Sequence, residues 1–159
     1  MQVEVKNEHH WLLKMLGDWT YESECIMGPD QPPSKSTGSE SVRSVGDVWV
    51  MCEGEMPCEG KPMTTVMTLG YDTAKKRFVG TFLGSMMTNL WVYDGSLDAA
   101  GKVLTLNAEG PSFADPNKTT MYHDMIEFHS DDHRTLSSEY LADDGKWHKF
   151  MNVHYRRKK

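Results

Sequence analysis

From Asp18 onward the chain is a succession of short runs rich in Val, Thr, Phe, Tyr and Trp, separated by turn residues at intervals of about ten residues. Such runs are typical of β-strands, and the short polar connections between them favour antiparallel pairing of neighbours. Ten strands are predicted, over residues 19–27, 37–45, 48–55, 63–71, 77–87, 89–97, 102–110, 118–128, 134–141 and 147–156.

The connections support hairpins. Residues 98–102 and 142–146 both end in Gly-Lys after two turn-compatible residues, a pattern typical of a type I turn followed by a left-handed glycine. The longest polar connection, 28–35, is predicted to be a mobile loop at one end of the sheet. The strands should therefore follow one another around the sheet in chain order.

One amphipathic helix is predicted before the strands, over residues 7–16. Asn7 is a suitable N-cap, and Gly17 is a suitable terminator just beyond the last turn. The apolar residues that recur at helical spacing are Trp11, Leu12, Met15 and Leu16.

Ten antiparallel strands leave two exposed edges if the sheet is flat, and closure into a barrel removes both. We therefore predict an all-β fold, a single antiparallel up-and-down β-barrel domain over 1–159, with the barrel at 19–157 and the helix capping one end. A two-sheet sandwich is the competing architecture. A barrel of eight to ten strands has room for a small ligand.

Several short motifs, taken in order and spacing, are similar to those of one family. They are LGDW at 16–19, SVRSVG at 41–46, TLGYD at 68–72, RFVGT at 77–81, GSLD at 95–98, LTL at 104–106, and Met151 with the closing YRR at 155–157. Together they resemble domain-of-unknown-function family 1579. The resemblance implies a calycin-like barrel, related in shape to lipocalins, fatty-acid-binding proteins and nitrobindin-type haem barrels. It implies no activity and no catalytic residues.

Composition excludes other classes. The net charge of −6 opposes nucleic-acid binding, because phosphate neutralisation needs a dense cationic face. No apolar run reaches the length of a membrane helix, and the first ten residues carry too much charge for a signal peptide, so we expect no membrane association and a soluble, cytoplasmic chain. No GxSxG or GxGxxG motif occurs, which argues against a nucleophile elbow and a nucleotide cofactor.

Two pairs of strand histidines lack metal-ligand spacing. His9 and His10 are expected to be exposed at the helix start, and the strand pairs His123/His129 and His148/His154 are each six residues apart, too far to share an ion. We therefore expect no metal.

Haem is a separate alternative. The resemblance to nitrobindin-type barrels implies one axial histidine near the C-terminus, and His154 is the residue at such a position. The glycine-rich opening of those barrels is replaced here by Tyr21, Glu22 and Glu24, so we expect no haem and no other cofactor.

Methionine is unusually frequent, at 12 of 159 residues, and five tryptophans accompany it. A barrel lined with such side chains makes an adaptable apolar pocket. The chain is therefore predicted to be a non-catalytic binding or carrier barrel for a small apolar or amphipathic molecule. The predicted ligand-binding residues are Arg43, Trp49, Met51, Glu53, Met67, Phe82, Met86, Trp91, Tyr93, Glu139, Tyr140 and His154.

Two alternatives remain open. The first is a small-molecule enzyme that uses a lumenal carboxylate, tyrosine or histidine, with Glu139, Tyr140 and His154 as candidates. The second is a ligand-free interaction module that forms a homodimer.

The sequence also does not decide which face of each strand points into the barrel. A lumenal carboxylate paired with Arg43 or Arg156 would bind a polar head group, but a register slip of one residue inverts every side chain. A bulged turn at Gly145 places Tyr140 near His148 and Leu136 near Asn152; a two-residue turn places Glu139 on the His148–His154 face instead.

Overall fold

The computed structural model describes residues 2–26 and 31–159. The elements are α1 (Asn7–Leu13), β1 (Gly17–Cys25), β2 (Ser34–Val45), β3 (Trp49–Met56), β4 (Met63–Asp72), β5 (Arg77–Gly84), β6 (Trp91–Leu97), β7 (Val103–Pro111), β8 (Thr119–Ser130), β9 (His133–Leu141) and β10 (Trp147–Arg157).

The strands form one closed barrel in which each strand pairs antiparallel with its neighbours in the sequence, and β1 closes the ring against β10. The predicted all-β, up-and-down, ten-stranded barrel is confirmed. Closure leaves no unpaired edge, which is the physical reason for preferring it to an open sheet.

Side chains alternate between the lumen and solvent along each strand. On β1, Trp19, Tyr21 and Ser23 point inward and are buried or half-buried, whereas Thr20 and Glu22 are exposed. The period of two follows from the pleat, and it assigns every strand residue to one face. The core is therefore the barrel interior, closed at one end by α1.

The α1 helix is tied to the barrel by hydrogen bonds from indole N–H groups. Trp11 Nε1 donates to the carbonyl of Gly101 in the β6–β7 turn (2.9 Å), and Trp19 Nε1 donates to the carbonyl of Met15 (2.8 Å). Arg157 Nη1 donates to the carbonyl of Leu16 (2.5 Å).

No helix of the described residues has the length and apolar character needed to cross a membrane.

The helix is shorter than predicted. It ends at Leu13 with Lys14 as C-cap, and its N-cap is Lys6, not Asn7. Gly17 does not terminate the helix: with φ of +120° it begins β1, a conformation that favours glycine. The chain has to leave the helix early because Trp19 must enter the lumen within two residues of the strand's start.

His9 is buried, which contradicts its expected exposure. The backbone N–H of Lys6 donates to His9 Nδ1 (2.9 Å), so the ring proton is on Nε2, which donates to the carbonyl of Tyr71 (3.0 Å). The histidine thus fastens the start of α1 to the end of β4.

Two strand boundaries differ from the prediction by three residues, at the start of β2 and the end of β5, and the others by two or fewer. β2 begins at Ser34, earlier than predicted, because it pairs along the whole of β1 as far as Cys25. β5 ends at Gly84 and β6 begins at Trp91, so residues 85–90 form a connection and not strand. Of the predicted first strand, Met27 lies outside the described residues, as do residues 28–30 of the predicted mobile loop.

Gly80 marks a close approach between β5 and β4. A Cβ there would lie 2.0 Å from the Thr68 carbonyl oxygen, whereas at Gly54 the nearest atom is the hydroxyl of Thr65, at 2.5 Å. A backbone carbonyl cannot rotate away, but a hydroxyl can. We expect Gly80→Ala to lower the free energy of unfolding in urea by about 1–3 kcal/mol, and Gly54→Ala to lower it less. Equal losses for the two variants would contradict this.

Candidate functional site

The barrel interior changes along its axis. Beside α1 the inward side chains, such as Leu69, Phe78 and Leu104, are fully buried. Toward the opposite end they keep contact with solvent. We call this second region the open half of the lumen; its half-buried inward side chains include Tyr21, Ser23, Ser36, Met56, Met63, Thr65, Phe82, Trp91, Tyr140 and Met151.

Aromatic rings surround the mouth of the open half. Phe113, in the β7–β8 connection, makes edge contacts with Tyr122, Tyr140 and Phe150 at centroid distances of 5.0–5.7 Å. Trp91 packs edge-on against Tyr122 at 4.8 Å. These edge-to-face contacts give the mouth an aromatic rim.

A buried ion pair lies between the two halves. Arg134 on β9 is 2% exposed, and its Nη2 donates to Glu40 Oε1 on β2. The guanidinium lies over the rings of Tyr155 (3.9 Å) and Trp19 (4.7 Å), on the two intervening strands. Its Nε has no hydrogen-bond partner among the described residues. This side chain therefore crosses three strand positions inside the barrel.

The pair changes the chemistry of its neighbours. Burial, and then the negative charge of Glu40, raise the pKa of the Tyr155 hydroxyl, of the Tyr21 hydroxyl and of the Cys52 thiol. All three groups stay protonated at neutral pH. None of them is a nucleophile in this state, since the thiolate and not the thiol reacts.

A second polar group lies across the lumen. Asp124 on β8 accepts hydrogen bonds from the Tyr93 hydroxyl on β6 and from Ser138 Oγ on β9 (2.5 Å). Burial, then the charge of Asp124 and the hydrogen bond to it, and finally Tyr155, raise the pKa of Tyr93. The two polar groups are thus neighbours, and together they form the lumenal floor: Glu40, Arg134, Tyr155, Tyr93, Asp124 and Ser138.

The Asp124 carboxyl gives a pH-dependent prediction. Burial raises its pKa, and the hydrogen bonds from Ser138 and Tyr93 oppose this only in part. A carboxyl with a higher pKa in the folded chain binds its proton more tightly when folded. It therefore destabilises the fold as pH rises from the unfolded pKa, about 4, through the folded value. We expect the free energy of unfolding of Asp124→Asn to increase relative to wild type over this range.

Asp94 on the outer wall is a control, because its pKa is shifted in the opposite direction to that of Asp124. Its hydrogen bond with Arg77 lowers its pKa, so it stabilises the fold above the unfolded pKa. Asp94→Asn should therefore lose stability relative to wild type as pH rises through about 4. Urea unfolding between about pH 3 and about pH 7 measures the free energy of unfolding of each variant relative to wild type. If this quantity for Asp124→Asn stays constant or decreases as pH rises, the raised pKa of Asp124 is contradicted.

The predicted ligand-binding residues divide between the two faces of the wall. Five point into the lumen: Met67, Phe82, Trp91, Tyr93 and Tyr140. Six lie on the outer wall, namely Arg43, Trp49, Met51, Glu53, Glu139 and His154, and Met86 lies in the β5–β6 connection.

The outer-wall residues have partners there. Arg43 pairs with Glu53 (2.9 Å), Trp49 covers Gly70 from outside, and Glu139 bonds His123 (2.9 Å). These contacts explain why they do not line the lumen.

His154 lies in a group of outer-wall histidines. Its Nδ1 is 2.9 Å from His133 Nε2, and its Nε2 is 3.2 Å from the amide of Asn152. It borders a concavity of about 450 Å³ outside the barrel, which His129 also lines. Within residues 2–26 and 31–159, no group of three His, Cys, Asp or Glu side chains is placed to hold a metal ion.

The register of β9 and β10 combines features of both predicted turns. Tyr140 pairs with His148, as the bulged turn at Gly145 requires. A further bulge between Lys149 and Met151 then shifts the pairing, so Leu136 lies opposite Val153 and not Asn152. This shift turns His154 outward while Glu139 also stays outside.

Five of the six residues of the floor were absent from the predicted site, and three of the five are charged: Glu40, Asp124 and Arg134. The sequence does contain a signal, since each lies two residues from an inward apolar residue of its own strand: Val42 for Glu40, Ile126 for Asp124 and Leu136 for Arg134. A charged residue in phase with an apolar face is either unstable or paired across the lumen. Their partners, however, lie up to 94 residues away in the chain.

Comparison with known proteins identifies the family. The model of the family described as "Protein of unknown function (DUF1579)" matches residues 4–157. The chain belongs to the DUF1579 family. No curated protein matches this DUF1579 chain at a significant level.

Two solved structures share the fold. Rv2717c from M. tuberculosis is 14% identical with a TM-score of 0.62, and the match covers 98% of this DUF1579 chain and all of Rv2717c. A protein of unknown function from the DUF3598 family of Nostoc punctiforme is 14% identical with a TM-score of 0.51, covering 92% of this chain and 49% of that one. At these identities the likeness concerns the barrel alone.

Proposed function

We propose that this DUF1579 barrel is a non-catalytic binding or carrier protein for a small, largely apolar molecule, which enters through the end opposite α1. The observation that carries the proposal is the change in burial along the lumen. Most inward side chains beside α1, such as Leu69, Phe78 and Leu104, are fully buried, whereas several of those in the open half keep solvent contact. Apolar pockets with a few converging polar groups are the usual form of a small-molecule site.

The lining supports an adaptable pocket. Met56, Met63, Met67 and Met151 point inward in or beside the open half, and the aromatic rings described above surround its mouth. Methionine side chains rearrange around ligands of different shape because they are unbranched and flexible. The lining thus favours binding over shape-specific catalysis.

Nile red, an uncharged dye that fluoresces in apolar surroundings, tests the proposal. Wild-type protein should enhance and blue-shift its emission. Thr65→Phe adds a ring to the open half and should weaken binding by about tenfold or more. Thr64→Phe adds the same ring on the outer wall and should leave binding unchanged. No enhancement, or equal binding by the two variants, would count against a lumenal site.

An acid–base enzyme is the second candidate, favoured by the contact of Asp124 with Tyr93 and Ser138. A buried carboxyl whose pKa is raised is a candidate acid–base group when it lies beside a lumen. NMR spectra of bound apolar ketones or esters over time would reveal conversion. Conversion that disappears in Asp124→Asn, with binding retained, would favour this candidate over a carrier.

A further inference from the structure

The lumenal floor contains one strong cation, and that cation is already neutralised. Arg134 is paired with Glu40, and the rings of Tyr155 and Trp19 cover the guanidinium. Because both partners are held inside the barrel, the pair brings no net charge to the lumen. A ligand that reaches the floor meets a dipole and not a free positive charge.

One polar atom of the floor remains unused. The Nε–H of Arg134 is buried and has no acceptor among the described residues. A buried donor without an acceptor is energetically unfavourable, and buried polar groups are nearly always paired. The molecule therefore offers one hydrogen-bond donor to an acceptor that arrives in the lumen.

The negative groups of the floor decide which acceptor fits. Glu40 Oε2 lies 3.8 Å from the point where a side chain at Gly54 would begin, so its charge faces the same side of the sheet as Gly54 and the Thr65 hydroxyl. A ligand carboxylate at Arg134 Nε would come close to this charge in surroundings of low dielectric, where repulsion is strong. A carbonyl oxygen accepts the same hydrogen bond without bringing a charge.

The opposite wall adds no positive charge. The oxygens of Asp124 already accept from Tyr93 and Ser138. The Tyr93 hydroxyl is thereby committed as a donor, so it does not compete for a ligand's acceptor. Neither the Glu40–Arg134 pair nor the group around Asp124 has a free positive charge to balance the negative charge of an anionic ligand.

Resting on the proposed carrier function, we propose that the ligand is an uncharged apolar molecule with an acceptor oxygen, such as a ketone, ester or amide carbonyl, which accepts a hydrogen bond from Arg134 Nε. Carboxylates and other anions bind more weakly because Glu40 repels them. The ion pair at the base of the open half thus makes the site prefer uncharged ligands to anions.

Two probes that differ at one end test this preference. Methyl decanoate and decanoate share a chain, but at neutral pH only decanoate is charged. In displacement of Nile red from wild-type protein, methyl decanoate should bind more tightly by about tenfold or more. Equal or tighter binding of decanoate would overturn the inference about the ligand but not the carrier function. The same conclusion would follow if Nile red binds and neither probe displaces it. If Nile red itself does not bind, the carrier function fails first.

The Glu40→Gln variant should largely remove the preference for methyl decanoate, because Arg134 then lacks its counter-charge. Decanoate binding should strengthen by about tenfold, and methyl decanoate binding should change little. Glu53→Gln is the control, since Glu53 pairs with Arg43 on the outer wall; it should keep the wild-type preference. An unchanged preference in folded Glu40→Gln protein would overturn the inference, and the wild-type comparison decides the question even if this variant does not fold.

Discussion

Arg134→Met should lower the free energy of unfolding by about 3–5 kcal/mol, the largest effect we expect from any charge removal in the described residues. The methionine replaces the guanidinium by an uncharged chain, so Glu40 is left as an uncompensated charge inside the barrel. Attraction to the rings of Tyr155 and Trp19 is lost as well. Urea unfolding measures the loss.

Two controls separate this cause from a general loss of packing. Arg43→Met breaks the exposed pair with Glu53 and should cost no more than about 1 kcal/mol. The double variant Arg134→Met/Glu40→Gln removes both buried charges and should recover most of the stability, since an ion pair replaced as a whole is often neutral. A double variant that is as unstable as Arg134→Met alone would show that the charge is not the cause.

Trp11→Ala should cost about 3–5 kcal/mol, because it removes the side chain that joins α1 to the barrel. The ring contacts Phe128 and Phe78 at centroid distances of 5.2 and 6.3 Å, and the indole N–H bonds the Gly101 carbonyl. Truncation leaves a cavity under the helix and an unpaired carbonyl in the β6–β7 turn. Urea unfolding, followed by intrinsic fluorescence, measures the change.

Trp147→Ala is the matched control. This tryptophan lies on the outer wall, 38% exposed, and stacks on His123 at 3.7 Å. Its loss should cost about 1 kcal/mol or less, as expected of a surface residue with one partner. Similar losses for the two tryptophan variants would mean that α1 contributes little to the stability of the barrel.

The strand order was predictable because turn chemistry is local. Gly101 and Gly145 have φ angles of +70° and +79°, and each donates its N–H to the carbonyl three residues earlier, as the Gly-Lys pattern indicated. Hairpins of this length force neighbouring strands to pair antiparallel. Closure then follows from the need to remove the edges of β1 and β10.

The end of α1 was less predictable because long-range contacts decide it. Leu16 continues the apolar spacing, yet its carbonyl accepts from Arg157 at the end of the chain. Lys6 replaces Asn7 as N-cap because His9 accepts the Lys6 N–H. Tertiary contacts outweigh the small differences in capping preference.

The amino-acid sequence alone determined the ten strands, their order and the closed barrel, because alternation and turn residues act over a few positions. Only the tertiary structure decided which face is lumenal and which charges meet there. A bulge of one residue in β10 settled the direction of His154. The partner of Arg134 is Glu40, which lies three strands away around the barrel. Sequence alternation has a period of two residues and carries no information about contacts between distant strands. The site residues therefore come together only when the barrel closes.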